Sequence, residues 1–146
     1  MTDKRIAKFH LPGLFEFYDF YKVFLAVWHE HRDWFYSWCD ISSIYGAPAD
    51  CLWGGGRTSF GKAAICDVIN LMNEYGISSR LTFSNSLLKK EHLDDKKCNE
   101  LCRVFAKSVH SGKNIQNGVI VHSELLASFL KEHYRIFIWF LLPPKF

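Results

Sequence analysis

Residue types that can do acid–base chemistry recur where the segments predicted as strands end. A histidine, a carboxylate or an amide lies at or after the carboxyl end of each of the first four, and these candidate catalytic residues are His10, Asp50, Asn85 and His122. Because parallel strands end at one edge of their sheet, we expect the side chains to converge there. Histidine and carboxylate can serve there as acid, base or metal ligand. For each residue taken alone, a turn or a helix cap is the commoner role.

Three consecutive glycines, Gly54, Gly55 and Gly56, precede a cationic residue, Arg57. Glycines are costly inside a helix or a strand, so the segment is predicted to be a loop that needs backbone freedom or the close approach of a ligand. Arg57 beside these glycines could clamp an anionic group. We therefore predict that the three glycines and Arg57 bind a ligand.

The segment from Gly56 to Ala63 matches the phosphate-loop pattern except at Ala63, where the pattern has a metal-binding Ser or Thr. In a true phosphate loop the first glycine follows its strand directly, whereas about ten residues intervene after Tyr45 here. The alternative interpretation is a helix start that Ser59 caps, and we favour it.

The five cysteines favour a reduced, cytoplasmic compartment, because they form no CxxC pair and their odd number would leave one without a disulfide partner. Cys98 and Cys102 lie one turn apart on the apolar face of a predicted helix, so we interpret them as core residues and predict no metal site. No cofactor is predicted for this chain. An iron-sulfur centre needs four clustered thiolates, which the sequence does not offer.

Hydrophobic periodicity predicts alternating strands and helices. The predicted strands are 5–10, 40–45, 77–84, 118–122 and 135–142, and the predicted helices are 14–32, 63–75, 123–133 and one that starts at Asp94 or Asp95 and ends before Ser111. The order implies a parallel sheet in a single α/β domain, residues 1–146. Two architectures compete: half of a TIM-like (β/α)8 barrel, and an open five-stranded flavodoxin-like sheet.

Charge and composition bear on partners. The net charge of +3 is scattered along the chain and is too weak to indicate nucleic acid. The apolar stretch 14–28 carries Glu16, Asp19 and Lys22, so a membrane helix is not predicted. An incomplete barrel would expose its first and last strands, and we therefore expect self-association through sheet edges. It would also expose inward-facing side chains, such as Ile6, Ile41, Leu81 and Ile120 or their neighbours.

The order of motifs resembles the N-terminal part of the U32 peptidase-like family. The matching segments are Pro12-Gly13 after a strand, 40–45 with 54–57, Ser59-Phe60 opening a helix that ends at Tyr75-Gly76, 81–87 and 118–122. The resemblance covers residues 5 to 134. It implies a (β/α) barrel and, for full-length relatives, either peptidase activity or iron-sulfur-dependent hydroxylation.

Two departures from that family set expectations for this chain. A polar strand is expected where the sequence has the apolar segment Arg135–Phe140. The family's later half carries an iron-sulfur-binding cysteine cluster and a Lys-Ile-Glu-Gly-Arg-like motif, and the sequence has neither. We therefore hypothesise a truncated or frameshifted chain, inactive as 146 residues, with 135–146 as an aberrant apolar tail. The alternative is a non-catalytic α/β module that binds a small ligand or a protein.

Overall fold

The structure of the protein, a computed structural model, describes residues 5–56, 63–107 and 116–140. In these ranges the strands are β1 (Ala7–Leu11), β2 (Cys39–Gly46), β3 (Ser78–Phe83), β4 (Gly118–Val121) and β5 (Phe137–Phe140). The helices are α1 (Tyr18–Glu30), α2 (Ile65–Tyr75), α3 (Lys96–Lys107) and α4 (Glu124–His133), with two short 3-10 helices, Arg32–Trp34 and Lys90–Asp94. The alternating α/β organisation predicted from the sequence is confirmed.

The strands pair in parallel in the order β1-β2-β3-β4-β5, so neighbours in the chain are neighbours in the sheet. A flavodoxin-like sheet reverses its strand order at a switch point, whereas consecutive units of a barrel follow each other in sequence. The observed order therefore favours the barrel-type arrangement of the two that were predicted. β1 and β5 are the edges of the described sheet.

The two faces of the sheet differ in burial. In β3, Ser79, Leu81 and Phe83 are fully buried, whereas Arg80 and Thr82 are half-buried. Sequential strands joined by right-handed crossovers place every helix on the same face, which is therefore the covered one. The opposite face, called the open face below, carries Ser43, Tyr45, Arg80, Thr82, Ile120 and Trp139.

The expectation for inward-facing residues allowed either each named residue or its neighbours, and on β3 it is the neighbours of Leu81 that face away from the helices. Leu81 has no exposed surface and lies on the covered face, while its neighbours Arg80 and Thr82 occupy the open face. A strand with alternating residues can face its core in either phase, and a shift of one residue exchanges the faces. Ile6 is 56% exposed, as expected.

Local signals set two helix ends as predicted. α2 ends at Gly76, whose φ of 64° is left-handed, and the N–H of Ile77 donates to the carbonyl of Met72 at 3.0 Å, which completes a Schellman motif. α4 begins after Ser123, whose Oγ accepts a hydrogen bond from the N–H of Leu126 at 3.2 Å. The predicted cap at Ser59 lies outside the described residues.

The core lies between the covered face and the helices. Its buried helical residues are Leu25, Val68, Met72, Leu101, Phe105, Leu126 and Leu130. Cys98 and Cys102 are also fully buried, which confirms their interpretation as core residues. Among the described helices, none has the length and apolar character needed to cross a bilayer.

Candidate functional site

A cleft of about 270 Å³ opens at the edge of the sheet where the strands end. It is lined by residues that follow β1, by the end of β2 and the loop after it, by Gly54, by the end of β3 and by Ile120 of β4. We call it the carboxyl-edge cleft. Its walls come from four consecutive strand units, which is how ligand sites form in parallel α/β sheets.

Two glycines shape the wall of the cleft that follows β1. Gly13 has a left-handed φ of 81°, and a Cβ there would clash with the ring of Phe17 in the same segment. A Cβ on Gly46 would lie 2.8 Å from the backbone nitrogen of Leu14, whose N–H donates to the carbonyl of Tyr45 at 3.0 Å. A larger residue at Gly46 would therefore force this wall away from the end of β2.

The glycine segment forms a tight turn beside the cleft. The N–H groups of Gly54 and Gly56 both donate to the carbonyl of Cys51, at 3.1 Å and 2.9 Å. Gly55 and Gly56 have φ values of 91° and 66°, so the predicted need for backbone freedom is confirmed at these two residues. Gly54 itself lines the cleft, and a Cβ on it would lie 2.9 Å from the Cβ of Ala47.

Trp53 anchors this turn in the core. Its side chain is fully buried, and Nε1–H donates to the carbonyl of His92 at 2.8 Å. The indole meets the rings of Phe83 and Phe129 edge-on, with centroids 5.3 Å and 6.0 Å away. A buried tryptophan with its N–H satisfied gives the adjacent glycine backbone a fixed position.

Asn85, a predicted catalytic residue, holds the glycine turn against the end of β3. Its Nδ2 donates to the carbonyl of Leu52 at 3.0 Å, its Oδ1 accepts from the N–H of Leu87 at 3.0 Å, and its own N–H donates to the carbonyl of Trp53 at 3.1 Å. Both ends of the side-chain amide are therefore engaged by backbone groups.

The other predicted catalytic residues do not line the cleft. His10 lies within β1, and its Nδ1 is hydrogen-bonded to Oγ of Ser43 at 2.6 Å. Asp50 is exposed, with a left-handed φ of 57°, and His122 is half-buried after β4, with its N–H bonded to the carbonyl of Phe83. Of the predicted site residues inside the described ranges, Gly54 alone lines the cleft. Arg57 lies outside those ranges.

The polar groups that do line the cleft were not singled out from the sequence. They are the carboxylate of Glu16 and the hydroxyls of Tyr45, Thr82 and Ser84. The predicted site residues lie at or beyond the ends of their strands, whereas Tyr45 and Thr82 lie inside β2 and β3. The signal was the alternation in Arg80-Leu81-Thr82-Phe83-Ser84, which places every second, polar residue on one face.

Arg80 brings a positive charge to the open face next to this cleft. Its guanidinium carbon lies 3.8 Å from the centroid of the Trp139 ring. Its Nε is buried and has no hydrogen-bond partner. Burial lowers the pKa of Arg80 from its ordinary value, although the guanidinium stays charged at neutral pH. Two causes lower the pKa of His10: the partial burial of its ring is the larger, and the charge of Arg80 is the smaller.

Another groove, of about 560 Å³, lies between the Lys90–Asp94 turn, α3 and α4. Its charged residues alternate in sign: Asp94, Lys96, Glu100 and Arg103. Glu100 and Arg103 already form an ion pair three residues apart on one helix. Such a pattern is typical of a solvated helix surface, so the smaller carboxyl-edge cleft is the stronger candidate site.

A pair of thiols lies behind the glycine turn. The Sγ atoms of Cys51 and Cys98 are 3.5 Å apart and both residues are fully buried. The hydrogen bond from Cys98 lowers the pKa of Cys51, and the same bond, together with burial, raises the pKa of Cys98. Throughout the described ranges, no group of three or more His, Cys, Asp or Glu residues is placed to hold a metal ion.

Comparisons with models of protein families, with curated proteins and with solved structures found no match to this chain.

Proposed function

We propose that this chain is a non-catalytic α/β module that binds a small ligand in the carboxyl-edge cleft. The observation that carries the proposal is the convergence of four strand units on one cleft with polar side chains in its wall. A volume of about 270 Å³ suits a ligand smaller than a typical drug molecule. The position agrees with the general rule that parallel α/β sheets bind ligands beyond the carboxyl ends of their strands.

The chemistry of the lining supports binding and orientation of a polar molecule. The hydroxyls of Tyr45, Thr82 and Ser84 can each donate and accept a hydrogen bond. The exposed carboxylate of Glu16 accepts from hydroxyl or ammonium groups of a ligand. The described lining residues include neither histidine nor cysteine, so they do not form a nucleophile and base pair of the usual kinds.

A second candidate comes from the family resemblance: a fragment of a U32 peptidase-like protein whose full-length relatives are peptidases or iron-sulfur-dependent hydroxylation proteins. The sequential parallel order of the strands supports it, because consecutive units of a (β/α) barrel have this order. In that case the cleft is part of a larger active site, and catalysis would need residues beyond those that line the cleft.

The binding function can be tested with a panel of small polar molecules and ligand-detected NMR on the full chain. Thr82→Phe should abolish the binding of panel hits, because the ring would fill the cleft from the open face of β3. Val23→Phe is the matched control, since it adds the same ring at an exposed position of α1. Hits that bind Thr82→Phe and wild type equally, with both variants folded by circular dichroism, would contradict a ligand in this cleft.

A further inference from the structure

The open face continues the carboxyl-edge cleft as far as Arg80. Tyr45, which lines the cleft, is the register partner of Arg80 in the neighbouring strand. Thr82, also in the lining, lies two residues further along β3, about 7 Å from Arg80 on the same face. Arg80 itself does not line the cleft, but its guanidinium lies on the ring of Trp139, whose register partner Ile120 does line it. A ligand seated beside Thr82 and Ile120 would therefore lie next to the guanidinium.

The charge of Arg80 has no counter-charge in the described part of the chain. No ion pair between described residues includes Arg80, and its buried Nε lacks a hydrogen-bond acceptor. The groups beside it on the open face are hydroxyls, those of Ser43, Tyr45 and Thr82, which carry no charge at neutral pH. Leaving a buried donor of a charged group without a hydrogen bond costs free energy. A ligand that supplies an acceptor to Arg80 would recover that free energy.

Trp139 fixes the orientation of the guanidinium. The guanidinium carbon lies over the indole, 3.8 Å from the ring centroid, so a cation–π contact holds the charged group on the open face. Planar donors in a fixed fork match the two oxygens of a carboxylate or a phosphate. The stacking therefore prepares Arg80 for an oxyanion before any ligand arrives.

We propose that the ligand of the carboxyl-edge cleft carries an oxyanion, a carboxylate or a phosphate group, and that the guanidinium of Arg80 binds it. The inference rests on the proposed binding function of this cleft. The oxyanion lies on the open face beside Trp139, and the rest of the ligand extends past Thr82 towards the hydroxyl of Ser84. An acidic side chain of a second copy of the chain is the competing occupant.

The test compares two probes of matched shape on the full chain by isothermal titration: succinate, which is charged, and succinamide, which is neutral. We expect succinate to bind more tightly than succinamide by about tenfold to a hundredfold, because hydrogen bonds to charged groups are the stronger ones. Inorganic phosphate is the third probe. Binding of phosphate and not of succinate would assign the oxyanion as phosphate, and the reverse would assign a carboxylate.

Variants locate the charge that is responsible. Arg80→Gln should remove the preference for succinate over succinamide, and Arg80→Lys should retain part of it, since lysine keeps the charge without the fork. Lys131→Gln is the control, because it removes one charge from the exposed side of α4 and should leave the preference unchanged. If Arg80→Gln does not fold, the preference for succinate over succinamide, measured in the wild type and in Arg80→Lys, still tests whether Arg80 binds an oxyanion.

Different results would overturn the oxyanion and the binding function of the cleft. Equal binding of succinate and succinamide that Thr82→Phe abolishes would overturn the oxyanion and keep the cleft as a binding site. Absence of binding by every probe in the cleft would contradict both. A wild-type dimer in sedimentation analysis that Arg80→Gln dissociates would overturn the small oxyanion in favour of a second copy.

Discussion

The guanidinium of Arg80 and the indole of Trp139 stack across β4 at 3.8 Å, so the central strand of the sheet is joined to its fifth strand through side chains on the open face. In the register of the sheet, Trp139 pairs with Ile120, which pairs with Thr82, so the indole lies two residues further along than Arg80. The residue of β4 that pairs with Arg80 is Gly118, which presents no side chain between the two groups.

This stacking should contribute measurable stability. In a double-mutant cycle with Arg80→Gln and Trp139→Leu, we expect a coupling of about 0.5–2 kcal/mol in the free energy of unfolding, because the pair is half-buried. Urea denaturation monitored by circular dichroism measures it. The same cycle with Lys131→Gln in place of Arg80→Gln should be additive. Additive effects of Arg80→Gln and Trp139→Leu would contradict the stacked arrangement.

His10 reports on the same charge. Partial burial and then the charge of Arg80 lower the pKa of His10 below its ordinary value of 6.5. Removal of the charge in Arg80→Gln should therefore raise the pKa of His10, which an NMR titration of the imidazole ring would measure. The lowered value also means that the unfolded chain binds a proton at His10 more readily than the folded chain. Below the ordinary pKa of His10, acidification should therefore destabilise the folded state through this group.

An unchanged titration of His10 in Arg80→Gln would contradict the proximity of the two side chains. Lys131→Gln serves as the control, since this exposed charge on α4 lies on the side of the sheet opposite to His10.

Asn85 should behave as a structural residue of the glycine turn. Asn85→Ala removes the donor to Leu52 and the acceptor for Leu87, so we expect a loss of about 1–3 kcal/mol in the free energy of unfolding. Asn85→Asp keeps the acceptor for Leu87 but sets a carboxylate oxygen against the carbonyl of Leu52, so it should also lose stability at neutral pH. Thermal and urea denaturation compare the three proteins. A wild-type stability for Asn85→Ala would show that the turn does not depend on this amide.

The edge strand β1 should promote self-association. Phe9 in β1 is 43% exposed, and Ile6, which precedes β1, is 56% exposed. Exposed apolar side chains therefore lie along β1, an edge strand of the described sheet. Sedimentation velocity over a range of concentrations should show oligomers of the wild type, and Phe9→Lys should reduce them, because an edge lysine opposes strand addition. Val23→Lys, at an exposed position of α1, is the control. A monomeric wild type at every concentration would refute this expectation.

The sequence predicted the elements well because their signals are local. Periodicity set the order of strands and helices, and Gly76 and Ser123 set two helix ends through their own backbone and side-chain preferences. The start of α1 was predicted at residue 14, four residues early. The structure instead packs Leu14 and Phe15 in the core as part of a turn, with the N–H of Leu14 bonded to β2, which is a tertiary contact that periodicity does not report.

The candidate site was harder to predict because it depends on phase and on contacts between distant segments. The alternation in β3 is compatible with either face, so only the packing of Leu81 against the helices assigns Arg80 and Thr82 to the open one. Glu16 and Ser84 are 68 residues apart in the chain and meet only because β1, β2 and β3 are consecutive in the sheet. Asn85 was correctly expected at the carboxyl edge, where its amide holds a loop.

The most direct test of the account is to map succinate onto the isotope-labelled full chain by chemical-shift changes in two-dimensional NMR. We expect the largest chemical-shift changes on the side-chain Nε–H of Arg80 and on four backbone amides, those of Gly13, Gly46, Gly54 and Ser84. Changes confined to Lys96 and Arg103, in the groove between α3 and α4, or no saturable change at all, would contradict an oxyanion site in the carboxyl-edge cleft.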